Sequence, residues 1–367
     1  MTRTPHHPHQ RGFTLVEMLV ALAVGVILVG AVIAVYIAQS QTYKSSNTQA
    51  AIQNAENAIG ALVTPVVRSA GFGGCATLSG ATSTLAPGVP PPLGAIATAG
   101  TVLVGYDAAG TAGGTGSSLA IAVPGTPNDP DTSHWTPVLD DSLAGQVAPG
   151  SDVLVVLGAV PGALPVAATA MVDGSSNQLV LANTSGFAAG QAVALSDCAK
   201  TSVFAASTVG AQVLTHLVSG GPIANAVETL GVDYAPGAQA VPLQQTAYFV
   251  AQDARGGPGS LVRATYGTGS TPGWNVQSLV PGIDTMQVLY GIGSAGTPAQ
   301  YVSAGAVTDW GTVYSVRLGF LIEGDAGSAG LGSAVSFNVL GTAVTAPSDT
   351  RQRRYFEMTV GLRNAAP

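Results

Sequence analysis

Residues 11–38 read RGFTLVEMLVALAVGVILVGAVIAVYIA, and this stretch decides how the chain is to be understood. From Leu15 to Ala38 a single side chain is charged at neutral pH, that of Glu17. About 20 apolar residues suffice for a helix to cross the hydrocarbon core of a bilayer, so the run is long enough to span a membrane. The residues before it, Met1 to Gly12, carry Arg3 and Arg11 and no acid. Positive charge holds a flanking segment in the cytoplasm, which sends everything after Ala38 outward. An acid within a membrane run is costly and marks a functional position by default. Here that position is Glu17.

A secretory signal peptide places its apolar stretch before the cleavage site and then loses it. Here the apolar run follows Gly12 instead. Gly12-Phe13 with a carboxylate at Glu17 resembles the type III signal of type IV pilins and their relatives. The resemblance implies that a prepilin peptidase cuts after Gly12 and methylates the new N-terminus, Phe13. It also implies that Glu17 pairs with the N-terminal ammonium of a neighbouring subunit. The alternative is an uncleaved anchor helix with a chance glutamate. Removal of residues 1–12 takes away Arg3 and Arg11, and with them His6, His7 and His9 of an apparent histidine cluster. Only His134 and His216 remain, far apart in sequence, and no metal site is expected from them.

The rest of the chain is bounded by composition. With 367 residues it can bury a sizeable core in one large domain or two modest ones beyond the anchor. Only 8% of residues are charged, and 48 Gly and 23 Pro describe a loop-rich β protein rather than a helical one. A formal charge of −7 excludes a general polyanion binder. Cys75 and Cys198 fall in an oxidising compartment, where an even pair favours a disulfide. Two buried free thiols are the other reading. A bridge would close a loop of more than 100 residues and add roughly 4–5 kcal/mol on loop-entropy grounds.

After Gln39 the composition turns polar, yet Ile52, Ala55, Ile59, Leu62, Val63 and Val66 recur at helical spacing. The spacing predicts one helix from Phe13 to near Ala70, membrane-spanning over 13–38 and amphipathic over 39–70. Its outer stripe needs a partner, expected to be a β-sheet of the same chain. Pro65 should loosen its end, and Gly71, Gly73 and Gly74 should stop it. Residues 71–367 are expected to form a β-rich head, with a loop-rich insertion at about 77–190. Weak strands are predicted at 101–106, 118–123, 152–157, 178–182 and 191–195. Stronger ones are predicted at 246–252, 261–266, 284–290, 313–322 and 355–362. Alternation in 313–322 predicts that one of its faces is buried.

A narrower resemblance follows from segments spread along the chain. Arg68-Ser-Ala-Gly-Phe-Gly-Gly-Cys75 resembles the helix-end segment of the PilW family of minor pilins. Ser196-Asp-Cys198, Tyr248-Phe-Val250, Pro281-Gly-Ile-Asp-Thr-Met-Gln-Val-Leu-Tyr-Gly291, Trp310 with the following strand, and Arg353-Arg-Tyr-Phe-Glu-Met-Thr-Val-Gly-Leu-Arg-Asn364 match in the same order. Residues 77–190 match little. Gly73 stands where the family often has a bulky residue, and the head is unusually rich in Ala and Gly. The resemblance implies an α+β, pilin-like fold: a long N-terminal helix packed on an antiparallel β-sheet head.

Other motifs carry little chemistry. Gly291-Ile-Gly-Ser-Ala-Gly296 matches a dinucleotide-binding fingerprint, but Thr297-Pro298 follows where a helix would have to start, so a hairpin loop is expected. No catalytic constellation is found, and no cofactor is expected. Asp129, Asp131, Asp140 and Asp141 surround His134 and Trp135 without the spacing of a calcium loop, so a solvated loop is expected. Arg351, Arg353 and Arg354 precede the last strand and read as solvated or as guards of a sheet edge. Nucleic acid is not expected as a partner.

The resemblance implies a structural subunit and not an enzyme. It would join other minor pilins and the major pilin, prime pilus assembly and sit at the tip, with a large tip adhesin as a further partner. The head would lie in the periplasm while the chain is held in the inner membrane. Alternatives are a J-type pseudopilin of type II secretion, or a surface-binding module using residues 77–190.

Overall fold

The computed structural model describes residues 13–114, 116–123, 125–218, 223–253, 255–267, 273–294, 296–329 and 332–364. The leader, with Gly12, lies outside them. One helix runs from Leu15–Arg68, 54 residues or about 81 Å at 1.5 Å each. Thr14 caps its start: its hydroxyl accepts the Glu17 N–H, and the Glu17 carboxylate accepts the Thr14 N–H in return. The helix continues through Pro65, whose carbonyl accepts the N–H of Ser69. It ends at Arg68, and the chain turns away at Gly71, whose φ of +79° is left-handed.

The outer half of the helix supplies Thr48, Ile52, Ile59, Val63 and Val67 to the core, with Ala55 and Val66 partly buried. Leu62, expected in this stripe, faces outward instead. The seam drifts round the helix because 3.6 residues per turn carry it on to Val67.

Two sheets receive the helix. A four-stranded antiparallel sheet has the order Thr297–Val302, Ile283–Ser294, Val313–Glu323, Arg353–Gly361. The hairpin between its first two strands occupies the glycine-rich 291–296 motif. The larger sheet is built on Gln239–Ala251, 13 residues long. This strand pairs with Ala192–Ser196 near its start, then with Val153–Ala159 on one side and Ser260–Tyr266 on the other. One apolar cluster joins Ile59 and Val63 of the helix to Tyr248 and Val250 of the large sheet and to Val316, Leu318 and Phe320 of the small one.

Several expectations are corrected. The 77–190 segment is more than a loop-rich insertion: Val153–Ala159 lies between Gln239–Ala251 and Leu103–Ala108 in the large sheet, and the end of Leu103–Ala108 pairs in turn with Trp135–Thr136. The six-residue buried runs of Leu103–Ala108 and Val153–Ala159 hide the alternation that marks half-exposed strands. The antiparallel head was expected and is found, with two short parallel pairings added to it, Thr82–Ser83 with Thr201–Ala205 and Ser118–Ala120 with Thr342–Ala346. Val313–Glu323 is buried on both faces. Its second face, at Leu321, lies under Ile121, Val339 and Val344 of a small sheet that includes Val335–Val339 and Thr342–Ala346.

Close approach of helix and sheet is set by Gly324, where an added Cβ would overlap the Thr48 side chain. Gly324→Ala is expected to lower stability by about 1–3 kcal/mol through overpacking. Thermal or urea unfolding of the detergent-solubilised chain measures it.

Candidate assembly surface

Among the described residues, the first half of the helix has no cover. Leu15, Val26, Ile27 and Val32 are all more than 60% exposed, and the most apolar 18-residue window of the helix has mean hydropathy 3.0 with none of it buried. So large an apolar surface on a free chain requires lipid or other subunits around it. Phe13, at its tip, is 92% exposed. Glu17 spends only one oxygen on its own helix: Oε2 accepts from both the Thr14 N–H and hydroxyl, each at 3.0 Å. Among the described residues Oε1 accepts no hydrogen bond, so a donor arriving from outside has a charged oxygen to meet.

The outer half is fastened at its end. Arg363 donates its N–H to the Arg68 carbonyl at 3.1 Å, the Asn364 side chain reaches the Ala70 carbonyl at 3.2 Å, and Gly71 donates to Leu157 at 2.8 Å. Tyr248 donates its hydroxyl to the Leu62 carbonyl at 3.3 Å. Cys75 and Cys198 are joined in a disulfide with Cα atoms 4.9 Å apart and 123 residues between them in number. The bridge ties the segment leaving the helix to the turn between Ala192–Ser196 and Thr201–Ala205.

Of the three arginines around the start of the last strand, Arg354 is exposed as expected, but Arg353 is not solvated. Arg353 is 5% exposed and uses all three nitrogens: Nε on Asp284 at 2.7 Å, both Nη on Asp349 at 2.8 Å, and Nη2 also on Glu323 at 3.1 Å. A planar guanidinium fits two carboxylates edge-on, which a lysine cannot do. Arg354 reaches Glu56 of the helix at 3.0 Å, and Arg351 lies 3.6 Å from Glu323. Apart from Asp349, four residues away, these acids come from distant parts of the sequence, where a local reading had no partner to assign.

A second buried acid ties the sheets to each other. Asp152 accepts from the Ala108 N–H and Thr111 hydroxyl on the large-sheet side and from the Val288 N–H on the small-sheet side. Burial pushes its carboxyl well up, and Asp107 beside it adds to the shift. Of the residues expected in a solvated loop, His134 is exposed, with Nδ1 at 2.7 Å from Asp129, whereas Trp135 is buried and donates to the Ser151 carbonyl. His216 is fully buried beside Phe204. Among the described residues no group of three or more His, Cys, Asp or Glu is placed to hold a metal ion.

Residues 7–33 match the model of the prokaryotic N-terminal methylation motif, and residues 247–364 match that of the type IV pilus-assembly protein W, PilW. No curated protein sequence matches the chain. A type IV-like pilin from Thermus thermophilus aligns at 21% identity over 49% of this chain and 87% of its own, with a TM-score of 0.23. That likeness carries no argument. The two matched regions cover the helix start, the four-stranded sheet and the Arg353 network. Residues 247–364 thus resemble the PilW family, and residues 7–33 carry the N-terminal methylation motif.

Burial, with Asp284 beside it, lifts the Glu323 carboxyl from 4.5 to about 7. The folded chain therefore keeps a proton that the unfolded chain releases. The stability this group contributes is full below 4.5 and is lost as pH rises through about 7. Urea midpoints should fall across that window, and Glu323→Gln should flatten the fall. Arg353→Ala strands two buried carboxylates and is expected to cost about 3–5 kcal/mol in the same assay. The Cys75→Ser, Cys198→Ser double variant is expected to lose roughly 4–5 kcal/mol.

Proposed function

We propose that this PilW-type, pilin-like chain is a minor pilin of the type IV pilus: a structural subunit that joins other minor pilins, primes pilus assembly and sits at the pilus tip. The observation that carries the reading is the uncovered apolar half of the helix, with Glu17 and its unused Oε1 near the tip. In this reading residues 1–12 are a cytoplasmic leader, and a prepilin peptidase removes them after Gly12. Residues 13–38 are held in the inner membrane and later form the pilus core, while the head, from residue 71, faces the periplasm.

The mechanism is packing. Within a membrane the Glu17 carboxylate is expensive unless it meets a cation. The amine that cleavage creates at Phe13 of an adjacent subunit is such a cation, and it carries a donor that Oε1 can accept. Pairing offsets the burial of both charges only when two helices are staggered so that Phe13 of one reaches Glu17 of the other. The charge pair therefore selects one axial register from a surface that is otherwise uniformly greasy. Apolar side chains supply attraction and the pair supplies alignment. The Arg354–Glu56 contact and the disulfide keep the outer helix fixed to the head, so that the head follows the register set in the core.

Glu17→Ala is expected to leave leader removal intact and to lower the amount of the chain in sheared pili several-fold. A bulky substitution at Gly12 is expected to block cleavage, seen as an uncleaved band in membranes. Normal incorporation of an uncleaved Gly12 variant would overturn the reading.

A further inference from the structure

A groove of about 450 Å³ opens between the outer helix and the sheets. One wall is the helix at Ala51, Ala55 and Ala58, and the other is Leu279, Pro281 and Ile322. Glu323, Asp325 and Arg351 stand at one end. The walls are apolar and made of small or short side chains, so the floor is wide enough for an alkyl stem. Its charged end is not balanced. Among the charged residues lining it, Glu323 lies 3.6 Å from Arg351, and Asp325 adds an exposed carboxylate with no side-chain partner among the described residues. Two acids thus face one guanidinium. The helix lines the groove with no charged residue.

We propose that this groove takes a lysine or arginine side chain from a neighbouring pilin subunit, its methylene stem against the helix alanines and its charge on Asp325 and Glu323. The inference rests on the minor-pilin reading for the source of the side chain. The chemistry of the groove rests on shape and charge: long basic side chains combine an apolar stem with a cationic head, which is the distribution the groove presents in complement. The incoming cation supplies a positive charge where the acids outnumber their partners. Glu323, held partly protonated by burial and by Asp284, then releases its proton, so docking is tighter at higher pH.

The experiment uses the full chain in detergent micelles with alanine methyls isotopically labelled. Agmatine, a four-carbon chain with a guanidinium at one end and an ammonium at the other, is the probe, and uncharged 1-pentanol is the control. The expected result is a saturable shift of the Ala51, Ala55 and Ala58 methyls with agmatine alone. The apparent affinity should rise about tenfold from pH 6 to pH 8. Asp325→Asn should weaken it several-fold, and Glu323→Gln should remove the pH dependence. An equal response to pentanol, or no saturable shift, overturns the proposal.

In cells, Asp325→Arg should lower the chain's recovery in sheared pili several-fold while leader cleavage proceeds. Recovery at the unsubstituted level overturns the assignment of the occupant to a pilin subunit. Absence of the unsubstituted chain from pili overturns the minor-pilin reading and that occupant with it, whereas the agmatine titration decides the groove's chemistry separately.

Discussion

A single helix of 54 residues is too long for the head it carries to cover. At about 81 Å it extends far beyond the two sheets, and the sequence divides it accordingly. Within the helix Glu17 is the one residue charged at neutral pH before Lys44, whereas the outer half mixes polar residues with a stripe at Ile52, Ile59 and Val63. Everything else follows from this division. The inner half must find apolar surroundings from outside the chain, and the outer half must be held firmly enough to transmit what the inner half does.

The head meets the second requirement with two sheets in place of one. The four-stranded sheet and the large sheet both reach the helix through a common cluster, and Asp152 bonds to the backbones of both. Arg353 then gathers the ends of Ile283–Ser294 and Val313–Glu323 and the loop before Arg353–Gly361. A buried ion cluster of this kind is weak evidence for net stability, because desolvation offsets most of the attraction. Its effect is geometric: three carboxylates admit one guanidinium position, and Arg354 beside it faces Glu56 on the helix. The same cluster leaves acid in excess where the helix and sheets part to form the groove.

Much of this was legible in the chain. The anchor, the full extent of the helix and the stronger C-terminal strands follow from long-lived periodicity, which needs only neighbours in sequence. The hairpin at Gly291 to Gly296 follows from Thr297-Pro298, because proline at that place excludes the helix a cofactor site needs. The readings that failed assumed water around Arg353 and on one face of Val313–Glu323. Leu103–Ala108 and Val153–Ala159, covered on both faces, show no alternation and were predicted only as weak strands. Thr201–Ala205, Val335–Val339 and Thr342–Ala346 were not among the predicted strands.

By itself, the sequence determined which stretch is apolar and long enough to cross a membrane, roughly where its helix begins and ends, and which cysteines are available to bridge. Each depends on hydropathy, capping or composition within a local window. Only the tertiary structure decided that Arg353 is an interior residue, that Val313–Glu323 lies between two layers, and that Glu323 holds a proton near neutral pH. The reason is that charge and burial are set by neighbours in space: Asp284 lies 69 positions from Arg353, and no pattern in the intervening residues announces that they meet.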